Sequence, residues 1–358
     1  MDSLDFDAFD AIVGSLCLHC TPQPQLHGPE CAGKTCDSMY DLCTVRGTEY
    51  AHVSALAALC LTSKRANESA TRHLYHRPAC LTWRGGPLLR TLHARPDLAL
   101  RVKYLCTREW NPPLIDDDDV PPVKAARWRY PGHENDEPYR HVVGNDLVLL
   151  VLSLCPNLEE LNAYAYGNKM NKVEGLLDRA KLRTIELVCD EDRGMHSDDI
   201  APLVALAPNL KRLVAWWALA LELPSDGPAL SNLTHLSLHQ SILGRPALRQ
   251  LLSECPRLVT FEYEVAPHGM DFTAYDQQFS ARDTVDALAE LVPGLRALRL
   301  DFECVRPTEN YGMGWLREGH WRLIRDLTVL PELESLTLDT ACLLSHMGPD
   351  GEPYGDLL

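Results

Sequence analysis

Positive charge is in short supply. Lys and Arg number 34 against 50 Asp and Glu, so the formal net charge is -16 at neutral pH. A surface of that sign repels phosphate backbones and anionic lipid, which are held by clustered Lys and Arg. Neither nucleic acid nor a membrane is expected as a partner, and a basic or neutral protein is. Long apolar runs are missing too. The two most apolar stretches, residues 147–155 and 213–221, are near half the ~20 residues a bilayer-spanning helix needs. The start, Met1-Asp2-Ser3-Leu4-Asp5, has neither a basic segment nor an early apolar run, so no secretory signal is read there. The expected compartment is cytoplasm or nucleus, where thiols stay reduced. The 13 cysteines are then not a disulfide framework. Catalytic signatures are lacking as well. No H-E-x-x-H metal motif and no G-x-S-x-G elbow occurs, so no enzyme is expected. Gly28-Pro29-Glu30-Cys31-Ala32-Gly33-Lys34-Thr35 does match the phosphate-loop pattern in letters. However, Thr21-Pro22-Gln23-Pro24-Gln25 before it is not a strand, and Pro29 lacks an N–H the phosphates need.

What is present is apolar residue at 46% of 358 positions, enough for a substantial core. Much of it recurs in one short pattern, x-L-x-x-L-x-(apolar). The pattern appears as Asn157-Leu158-Glu159-Glu160-Leu161, Lys181-Leu182-Arg183-Thr184-Ile185 and Asn209-Leu210-Lys211-Arg212-Leu213. It continues as Asn232-Leu233-Thr234-His235-Leu236, Arg257-Leu258-Val259-Thr260-Phe261, Gly294-Leu295-Arg296-Ala297-Leu298 and Glu332-Leu333-Glu334-Ser335-Leu336. The leading leucines are spaced by 24, 28, 23, 25, 37 and 38 residues. Pro156, Pro208, Pro256, Pro293 and Pro331 stand just before them, and apolar runs of helical character (residues 147–154, 200–206 and 248–252) lie upstream. Proline ends a helix, and the alternating residues after it make a short strand with one buried face. A helix then returns the chain to the next parallel strand. One such unit cannot cover its own apolar face, so the units must stack. The predicted fold class is an α/β repeat solenoid, parallel strands with outer helices, preceded by a small all-helical domain.

Alternation along each strand assigns the outward positions. The candidate partner-binding residues are Glu160, Tyr164, Glu186, Arg212, Trp216, His239, Glu262, Glu264 and Asp301. The same register turns Val188, Val214, Ser237 and Asp339 to that face. The aromatics suit a hot spot and the carboxylates suit a basic target segment. Four segments are read along the chain: residues 1–80, helical with a Cys-rich insertion at 19–50; residues 81–146, a cap plus an acidic, Pro-rich loop; residues 147–340, the array; residues 341–358, a tail. Where the insertion begins, Cys17-Leu18-His19-Cys20 is a C-x2-C pair, and Cys31 and Cys36 follow. Two readings stand side by side: a structural zinc on Cys17, Cys20, Cys31 and Cys36, or scattered reduced thiols. No other cofactor is expected.

The repeat pattern resembles the leucine-rich-repeat family, and the Cys155-Pro156 and Cys255-Pro256 pairs look like its cysteine-containing subtype. Asp5-Phe6-Asp7-Ala8-Phe9-Asp10-Ala11-Ile12-Val13-Gly14-Ser15-Leu16 looks like the first helix of an F-box. Leu56-Ala57-Ala58-Leu59-Cys60-Leu61-Thr62-Ser63-Lys64-Arg65 and His73-Leu74-Tyr75 look like its later segments. Together these resemble fungal F-box-like proteins with leucine-rich repeats. The resemblance implies substrate recognition for an SCF-type cullin–RING ubiquitin ligase. Phe9, Ile12, Val13, Leu16, Leu56 and Leu59 would hold the ligase's linker subunit, and the array would hold a protein target. The alternative is an interaction scaffold with no role in ubiquitin transfer.

Overall fold

The computed structural model describes residues 5–17, 20, 43–78, 85–107, 152–165, 181–189, 195–196, 201, 203–220, 230–266, 280–302, 324–339, 342–343, 345–347 and 353–354. Each repeat begins with a tight turn. Leu158 N–H donates to Cys155 O (3.2 Å), Leu210 to Ala207 (2.9 Å), Leu258 to Cys255 (3.1 Å), Leu295 to Val292 (3.2 Å) and Leu333 to Leu330 (3.2 Å). Pro156, Pro208, Pro256, Pro293 and Pro331 occupy the second position of these turns, where a fixed φ and a missing N–H cost nothing. The recurrent proline therefore ends the helix and shapes the turn.

In five of the repeats the next two amides converge on one carbonyl of the repeat before. Lys211 and Arg212 donate to Arg183 O, Thr234 and His235 to Lys211 O, and Val259 and Thr260 to Thr234 O. Arg296 and Ala297 share Val259 O, and Glu334 and Ser335 share Arg296 O. The strand register follows from this hand-off.

The chain divides into two units, residues 1–143 with 147–162, and residues 144–146 with 163–358. The first array segment, 147–162, thus groups with the N-terminal unit. That unit holds α1 (Phe6–Gly14), α2 (Cys43–Cys60), α3 (Lys64–Leu74), α4 (Gly85–Ala94), α5 (Pro96–Ala99) and β1 (Tyr104–Cys106). In register with β1 is the parallel strand β2 (Glu160–Ala165), with Leu105 opposite Leu161. Ser63 caps α3 by accepting from Ala66 N–H at 3.1 Å, which satisfies an otherwise orphaned donor. Phe9, Val13, Leu56, Ala66 and Ala70 form the core of the first three helices, with Leu16, Leu59, Cys60 and Leu74 packed against it.

In the second unit, β3 (Thr184–Cys189), β4 (Arg212–Trp216), β5 (His235–Ser241), β6 (Thr260–Val265), β7 (Ala297–Asp301) and β8 (Ser335–Leu338) pair in chain order, all parallel. Helix α6 (Arg245–Ser253) links β5 to β6, and α7 (Ala281–Leu291) lies between β6 and β7. Helix α6 buries Leu248, Leu251 and Leu252, an i, i+3, i+4 stripe. Helix α7 is opened by a capping box between Ser280 and Asp283. Register aligns Ile185, Leu213, Leu236, Phe261, Leu298 and Leu336 in one ladder, and Leu187, Ala215, Leu238, Tyr263, Leu300 and Leu338 in a second. All are fully buried up to Leu300; in β8, Leu336 is 42% exposed and Leu338 half-buried. Among the described residues β8 pairs on one side only, so its leucines lack the cover that β4 to β7 share. The arrangement is α/β and consistent with a solenoid-like fold. No described helix is long and apolar enough to cross a membrane.

Two bulky residues adopt left-handed backbone, Trp217 (φ 63°) and Gln240 (φ 46°). Trp216 pairs with His239, so both stand at the same place in successive repeats. Trp217 N–H donates to His239 O at 3.0 Å, and Ala218 N–H to Ser241 Oγ at 3.1 Å. These bonds hold a conformation that costs roughly 1–2 kcal/mol per non-glycine residue. Nearby, Tyr263 is buried and its hydroxyl donates to Ser241 O (2.9 Å) and accepts from Leu243 N–H (3.3 Å). Burial pushes the Tyr263 phenol well above its ordinary range, so it stays protonated and keeps both bonds.

Candidate functional site

Two groupings of side chains stand out, one in each unit. The first begins with Cys17, just past α1. Cys20 N–H donates to Cys17 O at 3.0 Å, and His76 N–H donates to His73 O at 3.1 Å. Both C-x2-C and H-x2-H are therefore closed by the same i to i+3 backbone bond, which turns the paired side chains to one side. His73 ends α3 in its last helical turn and His76 follows it. The Sγ atoms of Cys17 and Cys20 and a ring nitrogen from each histidine all lie within 4.8 Å of one another. Cys20 Sγ is 3.2 Å from His76 Nδ1 and 3.7 Å from His73 Nδ1; Cys17 Sγ is 3.8 Å from His76 Nδ1. Cys17 and His73 are buried, His76 is half-buried and Cys20 is exposed. These four side chains can hold a metal ion.

Asp10 stands behind His73. Its Oδ1 lies 3.6 Å from His73 Nε2 and accepts from the buried Ser69 hydroxyl at 2.5 Å, while Oδ2 is 3.8 Å from Arg72 Nη1. Burial works to raise the Asp10 carboxyl, but Ser69, His73 and Arg72 outweigh it and hold it below the usual range. The thiols split. Burial would raise Cys17, yet hydrogen bonding to His73 and His76 brings it below the ordinary thiol range. Burial and the neighbouring Cys17 charge push Cys20 above it. A bond to Cys17 raises the His73 imidazole against the opposing effect of burial. Gly14 leaves room for this ring, since a Cβ there would stand 3.3 Å from His73 Cε1.

The sequence reading placed Cys31 and Cys36 beside Cys17 and Cys20; both lie outside the described residues. His73 and His76 were not foreseen as ligands. Their signal was the H-x2-H spacing, but they stand 53 and 56 residues beyond Cys20, and no short-range pattern joins such pairs.

The second grouping lies on the strands. Trp216 stacks on His239 with ring centroids 4.5 Å apart and planes at 29°. His239 Nδ1 is 3.1 Å from Glu264, and its Nε2 is 3.9 Å from Glu262. Glu264 pairs with Asp301, and Glu262 with Arg299. The structure thus brings together Trp216, His239, Glu262 and Glu264 along β4 to β6, with Asp301 opposite Glu264. Glu186 and Arg212 are likewise half-buried on their strands. Glu160, in the other unit, is exposed, and the Tyr164 side chain lies outside the described residues. Val188, Val214 and Ser237, expected on the open face, are buried instead. They are small, and longer neighbours on the same strands, such as Arg212 and Trp216, cover small side chains on a closely spaced ladder. Asp339 is turned to structural use, accepting from the backbone N–H of Phe302 and, at 2.9 Å, of Cys342. Burial raises its carboxyl despite those donors.

Of the candidate linker contacts, Phe9, Val13 and Leu56 are core residues, and Leu16 and Leu59 pack partly against them. Ile12 is 55% exposed. A helical stripe tells which residues share a face, and here that face is consumed within the helices. Neither protein-family models nor curated proteins match the chain.

Proposed function

We propose that the chain is a non-catalytic recognition subunit of an SCF-type cullin–RING ubiquitin ligase, built on leucine-rich repeats. The observation that carries the reading is the run of parallel strands in one register, with Trp216, His239, Glu262 and Glu264 side by side on their outward side. An aromatic ring beside carboxylates, on a chain of net charge -16, suits a protein target with basic side chains. Arg and Lys gain from both the ring face and the carboxylates. The Trp216→Ala variant and the Glu262→Lys, Glu264→Lys double variant are each expected to weaken a target found by proximity labelling about tenfold or more. Unchanged affinity in both moves target recognition off these strands.

Among the six candidate linker contacts, Ile12 is the one whose side chain is exposed and able to anchor a linker subunit. Its exposure separates binding from folding. The Ile12→Asp variant is expected to keep its helical signal and melting point while losing the linker subunit in co-purification. A hot-spot residue contributes about 2 kcal/mol or more, a loss of about 30-fold in affinity. Equal recovery of linker by wild type and variant favours a second reading, a repeat scaffold without ligase function. That reading draws support from Phe9, Val13 and Leu56, whose side chains are taken up by the core.

A further inference from the structure

We propose that Cys17, Cys20, His73 and His76 form a structural zinc site that clasps the end of α1 to the end of α3. The site does not depend on the adaptor reading and would serve either function. Four observations converge on it.

The donor set is two thiolates and two imidazoles. Such soft, mixed S2N2 ligation selects zinc over the hard cations, which take oxygen. The spacing is that of a coordination tetrahedron. Zn–S near 2.3 Å and Zn–N near 2.0–2.1 Å give S to N edges of about 3.6 Å. Three of the four S to N separations are 3.2, 3.7 and 3.8 Å, and the fourth lies within 4.8 Å, so small rotations of the side chains complete the geometry. The backbone is already organised for it, because both x2 pairs are locked by i to i+3 bonds. Finally, His73 turns Nδ1 to the cluster and its buried Nε2 towards Asp10 Oδ1, 3.6 Å away, an ion-pair distance from which a hydrogen bond is one small side-chain movement off. A carboxylate behind a metal-bound imidazole fixes its tautomer and raises its basicity. Asp10 is itself held by Ser69 and Arg72.

Four protein ligands leave no open coordination position, so the ion would be structural and not catalytic. What it would hold is specific. The carbonyl of His76 accepts from Lys103 and Tyr104 N–H, both at 2.9 Å. That is the same two-amide hand-off that five of the repeats make to the one before. His76 therefore sets the first rung for β1, and the metal would fix His76. The linkage ties the helices of the N-terminal unit to the strand pair of that unit.

The test uses the full chain, purified without a histidine tag from zinc-replete medium. Elemental analysis is expected to give about one zinc per chain. That zinc should survive Cys31→Ser with Cys36→Ser and be lost in His73→Ala with His76→Ala. Replacement by cobalt should give a thiolate charge-transfer band and the intense visible bands of tetrahedral coordination. His76→Cys should keep the metal and strengthen the charge-transfer band, a gain that needs no destabilised variant. Asp10→Asn should lower metal affinity about 10- to 100-fold while the cobalt spectrum keeps its shape. The proposal is overturned by folded wild type that takes up neither zinc nor cobalt. It is equally overturned if zinc persists in the double histidine variant and disappears with Cys31 and Cys36, or if His76→Cys leaves the cobalt spectrum unchanged.

Discussion

Replacing Leu236 by alanine is expected to lower the unfolding free energy by about 2–5 kcal/mol, the range for buried leucine truncations in tightly packed cores. Leu236 is fully buried, the second residue of β5, with Leu213 on one side of the ladder and Phe261 on the other, both fully buried. A hole at that point cannot be closed by one neighbour's side-chain rotation, because the neighbours are held in register by backbone bonds on both sides. The lost transfer energy and the cavity therefore add. The matching change at Leu336 is a built-in control. That residue occupies the same ladder in β8 but is 42% exposed, so Leu336→Ala should cost about 1 kcal/mol or less, in proportion to the apolar area it covers. Denaturant titrations at constant slope measure both. Equal midpoint shifts for the two variants would remove Leu236 from the core.

Tyr263→Phe is expected to cost about 1–3 kcal/mol, although it deletes one oxygen atom and keeps the ring. The hydroxyl accepts from Leu243 N–H and donates to Ser241 O. Ser241 O keeps a second donor, Ala266 N–H, at 3.4 Å. Leu243 N–H loses its acceptor in a buried site, and an unsatisfied buried donor carries the full desolvation penalty. The ring itself packs near Phe302, with centroids 5.8 Å apart, and phenylalanine preserves that contact. Loss of stability with an unchanged aromatic environment in near-ultraviolet circular dichroism would isolate the hydrogen bond. A change within about 0.3 kcal/mol, the noise of such comparisons, would show that the hydroxyl contributes nothing net.

How far the fold was legible follows from range. The leading leucines at 158, 182, 210, 233, 258 and 295 are all buried, because each is placed by a turn and a strand only a few residues long. Periodicity reads such local order well. It read the open face less well. Val214 and Ser237 obey the alternation yet are buried, since exposure depends on the size of neighbours on adjacent strands and not on register alone. Phe9, Val13 and Leu56 show the same limit in a helix. The stripe identifies an apolar face, but whether that face meets a partner or the rest of its own unit is a tertiary fact. Half of the candidate metal site was visible as C-x2-C. In the other half, His73-Leu74-Tyr75 was matched to a later F-box segment, and His76 just beyond it was not singled out. Only the packing of α1 on α3 brings the two halves together.

The hand-off of paired amides from each repeat to the one before has a consequence for how this surface can change over time. Every outward residue on β4 to β7 belongs to a strand whose backbone bonds reach no further than its two flanking strands. A substitution at Glu186 and another at Asp301 have no shared neighbour, and the effects of such separated changes add. Variation can therefore sample the face one strand at a time, each trial judged on its own merit while the buried ladders stay as they are. Trp216, His239, Glu262 and Glu264 behave differently. They touch across three successive strands, so they must drift together or not at all, and a change of binding preference there has to come as a matched set.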